Sequence, residues 1–492
     1  MADRRELART VTRASGRGLL LLLAGGVVAG TVAAAALVPW PEFRVEPPST
    51  VVEPEATGQI RVCPGPLLSL GDDAADATAA VSVGSTSVTT GVAPDDVEIT
   101  ETPLAAPENA NADADGTPLA LATEAGAAAV GALAGSQGQE SELDTLAGFA
   151  AASCDEALGE AWLVGGATDV GRTSLVLLSN PSQVAATVDL RVFGENGAVE
   201  APSALGVTVP AGEQRVLSLA GLAPNLRSPV VHVTSTGGGI AATLEHSVVE
   251  GLTPAGVELV GPTALPATSQ VIPGFVVPTA GGIDPAEDHA EGDAHPAVRL
   301  FAPGDETVEV TIGVAAEGGA GGGTSIDVSL EPGQATDVPL GDLDAGDYTI
   351  TLDADGPIVA AARATTGIPQ AQTSPDGDDD EASVDLAWTV ATSPLLDTAV
   401  VAVPQGPDPV LHLVNPGDEE LEVTAIVDGV ERGIVLPPGE SAAVDVDPRS
   451  VVELGGAAGV RATVSFSGER ALSSFAVRPP GPLDSPIVVT PR

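Results

Sequence analysis

The sequence contains no lysine: all nineteen of its basic residues are arginine, set against 68 acidic ones. A Ser-x-x-Lys nucleophile is therefore excluded, and neither Gly-x-Ser-x-Gly nor His-Glu-x-x-His occurs. The formal charge of −49 argues against nucleic acid, because binding a polyanion needs clustered cations to displace its counterions. It argues equally against anionic lipid headgroups. Aromatic residues are scarce, with seven Phe, three Trp and one Tyr in 492 residues. The cores must then be small and aliphatic, and few rings remain to serve as platforms for sugars. What the chain has in quantity is Ala, Val and Leu, punctuated by 58 Gly and 42 Pro, a mixture that favours strands and turns over long helices.

The one long apolar run lies at the start. Arg4, Arg5, Arg9, Arg13 and Arg17 precede an uncharged stretch, Gly18 to Val38, which meets the ~20 residues a bilayer requires of a helix. This predicts a cytoplasmic tail over 1–17, a transmembrane helix over 18–38, and export of everything beyond, since arginine is retained on the cytoplasmic side. Trp40 and Phe43 follow at the interface position. A cleaved signal ending near Ala33 to Ala36 is the alternative, and it exports the same residues. In an oxidising compartment the even pair Cys63 and Cys154 is expected to form one disulfide. Closing a loop of about 90 residues stabilises by on the order of 4–5 kcal/mol.

Beyond a Pro- and Glu-rich stalk (39–58), residues 59–160 read as a short strand plus a low-complexity acidic segment tied by that disulfide, with Ala105 to Gln139 expected to be disordered. A pattern then recurs three times. A corner at Asn180-Pro181, Ala302-Pro303-Gly304 and Asn415-Pro416-Gly417 is followed by an alternating strand and by a turn at Pro210-Ala211-Gly212-Glu213, Pro332-Gly333-Gln334 and Pro437-Pro438-Gly439-Glu440. The spacing is far above the ~20–50 residues of a solenoid repeat, so it marks tandem domains. Period-two alternation, as in Val423, Ala425 and Val427 against Glu422 and Thr424, places one apolar face on each strand. Six or seven such strands per copy predict antiparallel β-sandwich modules over 161–250, 269–367 and 384–492. The expected class is all-β behind an N-terminal transmembrane helix.

On the corner and turn, the modules resemble the immunoglobulin-like and fibronectin-like sandwiches of bacterial surface proteins, without the Cys pair and central Trp of antibody domains. The wider layout, with the Arg-flanked N-terminus, Cys63-Pro64-Gly65-Pro66, the second Cys before Trp162 and the Asn180-Pro181 corner, resembles an actinobacterial envelope family known as domain of unknown function 5719. That resemblance implies a location and a class but no activity.

Candidate chemistry is thin. Asp288, His289, Asp293 and His295 share one acidic loop and could ligate a transition metal, although their spacing fits no standard site. Asn111-Ala112-Asp113-Ala114-Asp115-Gly116 matches the first half of a calcium loop, but the twelfth position is Ala122 rather than Glu. His232, His412 and His246 sit in or at the end of strands and read as sheet residues, while Trp162 and Trp388 read as core anchors. No cofactor and no catalytic residue is implied. The expectation is a membrane-anchored extracytoplasmic protein with a structural or adaptor role toward an envelope partner. The alternative is a glycan-binding or glycan-processing accessory.

Overall fold

The computed structural model describes residues 50–52, 58–70, 80–281, 295–319, 323–366, 384–427, 429–480 and 487–489. The expected transmembrane span 18–38 lies outside them, and among the described residues no helix is long and apolar enough to cross a membrane. A small unit holds the two ends of the chain, where β1 (Thr50–Val52) pairs antiparallel with β34 (Ile487–Val489). Residues 55–484 form the other unit.

Within that larger unit the repeats are β-sandwiches of one strand order. The first has β10 (Glu160–Val164), β11 (Arg172–Asn180), β12 (Ala186–Gly194), β13 (Gly197–Val199), β14 (Val207–Val209), β15 (Glu213–Ser218), β16 (Val230–Thr236), β17 (Ala241–Glu250) and β18 (Thr253–Val260). Its sheets run β10-β16-β12-β13, with β14 also on β12, and β15-β11-β17-β18. The second has β19 (Ala267–Val277), β20 (Ala297–Phe301), β21 (Val308–Ala316), β22 (Thr324–Leu330), β23 (Ala335–Pro339), β24 (Gly346–Thr365) and β25 (Leu386–Val390). The third comprises β26 (Thr398–Ala402), β27 (Val410–Val414), β28 (Leu421–Val427), β29 (Val430–Leu436), β30 (Ser441–Asp445), β31 (Val451–Gly455), β32 (Arg461–Gly468) and β33 (Ala471–Ala476). Its sheets, β26-β31-β28-β29 and β30-β27-β32-β33, repeat the order of the first. The first two strands of each copy lie in opposite sheets, so this is a sandwich but not the immunoglobulin order, in which they pair side by side.

The second copy reaches the same arrangement with one strand fewer. The first half of β24 pairs with β19 and β21, and its second half pairs with β20 and β25. The reason is local. In the other copies the chain turns between sheets at Gly237 (φ 91) and Gly456 (φ 67), conformations that L side chains avoid. The second copy has Asp355-Gly356-Pro357 there, with no left-handed residue, so the backbone stays extended and crosses from one sheet to the other. β25 thus completes the second sandwich, whereas the sequence reading had assigned Leu386–Val390 to the third module.

Small aliphatic side chains from both sheets fill each core, such as Val188, Leu190, Val176 and Leu244 in the first and Val423, Ala425, Leu413 and Val464 in the third. The repeated corner explains itself. Asn180 Nδ2 donates to the carbonyls of Val184 and Val209 at 2.8 and 3.0 Å. Asn415 Nδ2 donates to those of Glu419 and Leu436 at 2.7 and 2.9 Å. The backbone N–H of the following turn glycine returns to the corner carbonyl in all three copies, Gly212 to Asn180, Gly333 to Ala302 and Gly439 to Asn415. The motif therefore satisfies buried backbone groups where two strands end, and it is a folding device rather than a binding one.

Residues 59–160 depart furthest from expectation. They carry β2 (Ile60–Cys63), β3 (Leu68–Leu70), β4 (Ala80–Ser82), β5 (Ser87–Val92), β6 (Thr100–Pro103), β7 (Leu119–Ala122), β8 (Leu133–Leu143) and β9 (Leu146–Ser153). The sheets are β2-β7-β6, β3-β4 and β5-β8-β9. The stretch 105–139 includes β7 and half of β8 and is ordered strand, not disorder. Low hydrophobicity misleads because these strands build only a small core of their own, around Cys63, Leu121, Leu133 and Cys154, and draw the rest from the first sandwich. Ala150, Ala152, Leu146 and Leu67 pack with Leu175, Leu177, Val257 and Leu259 of the first sandwich. Small residues are what permits that approach: a Cβ at Gly135 would stand 2.3 Å from Leu121 and 2.9 Å from Cys154 Sγ. Cys63 and Cys154 are bonded to each other, joining β2 to the end of β9 across 91 residues.

Candidate functional site

The chemistry-bearing side chains gather where the sandwiches meet. β9, β18, β25 and β33 are each the edge strand of a different sheet, and they pack in a ring: β9 on β18 and β33, and β25 on both of those. Four edges closing on one another would leave backbone N–H groups unpaired in the interior. Asp385, fully buried at the start of β25, answers this with one carboxylate. Oδ2 accepts from the N–H of Phe149 and of Leu472, both at 2.9 Å. Oδ1 accepts from Val257 at 3.2 Å and Leu386 at 3.0 Å. One side chain thus ties the edges of four sheets. Burial pushes Asp385 up to about 8 against the opposing pull of those four donors.

Two further acids line the seam. Glu258 of β18 accepts from Ser473 Oγ at 2.7 Å and from Leu259 N–H at 2.9 Å, while Ser473 Oγ itself accepts from Ala151 N–H at 2.8 Å. Burial, with the charge of Asp385 nearby, drives Glu258 well above the carboxylate range. Glu245 of β17 accepts from Leu68 N–H at 2.9 Å, and burial raises it to about 8. Neither Glu258 Oε2 nor Glu245 Oε2 has a hydrogen-bond partner among the described residues.

The seams between successive sandwiches are built differently, from acids paired with basic side chains. Arg299 of β20, 1 % exposed, donates to both oxygens of Asp337 at 2.7 and 3.0 Å. It also reaches into the first sandwich, donating to the carbonyls of Gly166 (2.8 Å), Pro229 (3.2 Å) and Arg227 (2.9 Å), and its guanidinium lies 4.5 Å over the Trp388 ring. Burial alone would raise Asp337, but the charges of Arg299 and Arg363 outweigh it and hold the carboxyl below its ordinary range. Between the second and third sandwiches, His412 Nδ1 meets Glu317 Oε2 at 2.6 Å and His412 Nε2 meets Ser465 Oγ at 2.8 Å. Glu317 also accepts from Gly274 N–H and Thr349 Oγ1 at 3.1 and 2.8 Å. Burial opposes ionisation of Glu317, yet His412 and these donors bring it below its ordinary value.

Ser465, His412 and Glu317 stand in the order of a serine–histidine–acid triad. The setting is unlike one: Ser465 is in the middle of β32, paired on both sides, and 3 % exposed. A hydroxyl enclosed in this way offers a substrate carbonyl no approach, and the three groups act as a latch between sandwiches. The accessible hollows lie elsewhere. Two open clefts of about 570 and 450 Å3 meet at Glu140 and Arg470. The first is lined by Gln139, Phe149, Gln405 and Glu469, the second by Glu142 and Asp144.

Of the residues singled out in the sequence, Asp288, His289 and Asp293 lie outside the described residues. His295 is described and buried. Among the described residues no group of three His, Cys, Asp or Glu side chains could hold a metal ion. Asp113 and Asp115 fall on a short helix, Ala112–Asp115, where Asp115 accepts from Ser82 Oγ at 3.1 Å. Trp162 is buried and stacks on His232 at 4.0 Å. What sequence reasoning missed is Arg299, Asp385, Glu245, Glu258 and the bridging role of His412. For Arg299, Glu258 and His412 the signal was available, since each is a lone polar residue inside an apolar run, as in Ala297-Val298-Arg299-Leu300-Phe301 and Val410-Leu411-His412-Leu413-Val414.

The chain belongs to a family of unknown function (DUF5719), whose model matches residues 109–448. A comparison with curated proteins finds no match. Among solved structures, the crystal structure of Thermotoga maritima 1070 is similar at 16% identity over 25% of this chain and 92% of that one, with a TM-score of 0.19. PNGF-II in its P21 space group is similar at 11% identity over 48% and 60%, with a TM-score of 0.14. Likenesses at that level carry no argument.

Proposed function

We propose that the protein is a rigid extracytoplasmic scaffold of the cell envelope, held at the membrane by residues 18–38 and serving a structural or adaptor role. The observation that supports this reading is the closure of four sheet edges on Asp385. It makes three sandwiches and the N-terminal strands one body, which suits holding an interaction surface at fixed geometry and does not suit a hinged enzyme. A fusion reporter after Arg492, active only outside the cytoplasm, tests the topology. Crosslinked pulldown of the intact protein from its own envelope tests the adaptor role, and recovery of no stoichiometric envelope partner would count against it.

Glycan binding is the second reading, favoured by the two open clefts that meet at Glu140 and Arg470. Retardation of the purified exported part in polysaccharide affinity gels, abolished by Arg470→Ala, would move the assignment to that class.

A further inference from the structure

We propose that the seam between β18, β25, β33 and β9 is a pH-sensitive lock, closed while Glu258 carries a proton and loosened when it and Asp385 are both charged. The argument begins with geometry. Glu258 is fully buried, and of its two oxygens only Oε1 is hydrogen-bonded, to Ser473 and Leu259. The second oxygen has no hydrogen-bond partner among the described residues, and although the Ser474 N–H also favours a charge here, burial outweighs it and makes ionisation of this carboxyl costly. Asp385 is the reverse case, with four N–H donors filling both of its oxygens. The arrangement suits one ionised acid and one neutral acid sharing a seam, and two like charges there would repel.

The surrounding groups leave little to compensate a second charge. β9 contributes only the Phe149 and Ala151 N–H groups and no titratable side chain. β33 contributes Ser473 and the Leu472 and Ser474 N–H groups. β17 places His246 directly opposite Glu258 and Glu245 opposite Leu259, and His246 is already engaged with Ser174 Oγ and the Thr173 carbonyl at 3.2 Å each. From the β25 side the facing acid is Asp385 itself. Arg470, Glu469, Glu140 and Glu142 line the outer clefts.

The direction follows from linkage. Glu258, Glu245 and Asp385 are all raised in the folded state, so the unfolded chain releases these protons first. Their stabilising contribution is complete below the ordinary carboxylate range near pH ~4 and is lost as pH rises through the folded values. For Asp385 and Glu245 those lie at about 8. The lock is thus set by acid and released by alkali.

The test uses the full exported chain, unmodified and as Glu258→Gln, with Ser473 left in place to donate to the amide oxygen. Thermal unfolding is followed from pH 5 to 9. The expected result is a midpoint that falls with rising pH in the parent and falls markedly less in Glu258→Gln. A parent midpoint that is flat over this range, or an unchanged slope in the variant, overturns the proposal. If the variant does not fold, hydrogen exchange on the parent decides. The amides of Phe149, Val257 and Leu472 should lose protection at least about tenfold more than those of β28 between pH 6 and 9, after correction for intrinsic exchange. Equal behaviour of the two sets overturns the lock.

Discussion

The two kinds of seam solve one problem with opposite electrostatics. Where the second sandwich meets its neighbours, each acid has a basic side chain against it, Arg299 on Asp337 and His412 on Glu317. Where all three sandwiches meet the N-terminal strands, the acids rely on backbone N–H groups and a hydroxyl. The difference follows from what converges. Successive sandwiches meet through the faces and ends of their sheets, where a long side chain can reach across. The central seam is made of edges, whose unsatisfied groups are N–H donors and call for an acceptor. A chain with nineteen cations and 68 acids has acceptors to spare.

Mutations sharpen that contrast. Asp385→Ala should have the largest effect, because it orphans donors in four strands at once. At about 1 kcal/mol or more for each buried unsatisfied group, a loss on the order of 4–5 kcal/mol is expected in denaturant unfolding. Arg299→Met should cost somewhat less, about 3–4 kcal/mol, by leaving Asp337 with only the more distant Arg363 and stripping three carbonyls of their donor. Here the double change Arg299→Met with Asp337→Leu should recover much of the loss, whereas no partner change can rescue Asp385→Ala. If both single variants are rescued by an apolar partner, the distinction between paired and unpaired seams fails.

Acid and alkali should divide the seams in the same way. Asp337 and Glu317 are lowered in the folded protein, so their contribution is present above the ordinary carboxylate range and is lost as pH falls through the folded values. The central acids behave oppositely. Unfolding free energy measured against pH should therefore fall on both sides of an optimum, with Asp337→Asn blunting the acid limb and Glu245→Gln the alkaline one. A profile in which either variant changes the wrong limb would show the attribution to be mistaken.

Smaller effects test the repeat. Asn415→Ala and Asn180→Ala should each cost about 1–3 kcal/mol by stranding two carbonyls, while the second sandwich already has Ala302 at that place. Val423→Asp, on the inner face of β28, should abolish cooperative melting, whereas Glu422→Lys on the outer face should stay within about 0.5 kcal/mol. Equal tolerance of the two would refute the register.

The sandwiches were legible because alternation is a local signal: the inward positions Val423, Ala425 and Val427 announce themselves in seven residues. The corner was legible too, since Asn-Pro followed by Pro-Gly is punctuation. The strands of 59–160 were not, because Ala150 and Ala152 become core only against Leu175 and Val257, which lie far along the chain. The seam was hidden for a related reason. Asp385 follows an acidic run and reads as its end, and only the convergence of four edges gives it a task. The strand order within each sandwich was not legible, because alternation fixes faces but not which strand lies beside which.

The clasp between Ala151 N–H and Ser473 Oγ joins residues 322 positions apart, and this has a consequence for how the chain is made. In a chain synthesised from its N-terminus, β9 emerges early with its edge bare, and the strand that covers it arrives almost last. Closure at such separation is slow, and a bare edge meanwhile is a template for other strands. Folding should therefore finish late and in one step, with yield falling as concentration rises during refolding, and a binder that covers β9 should restore it.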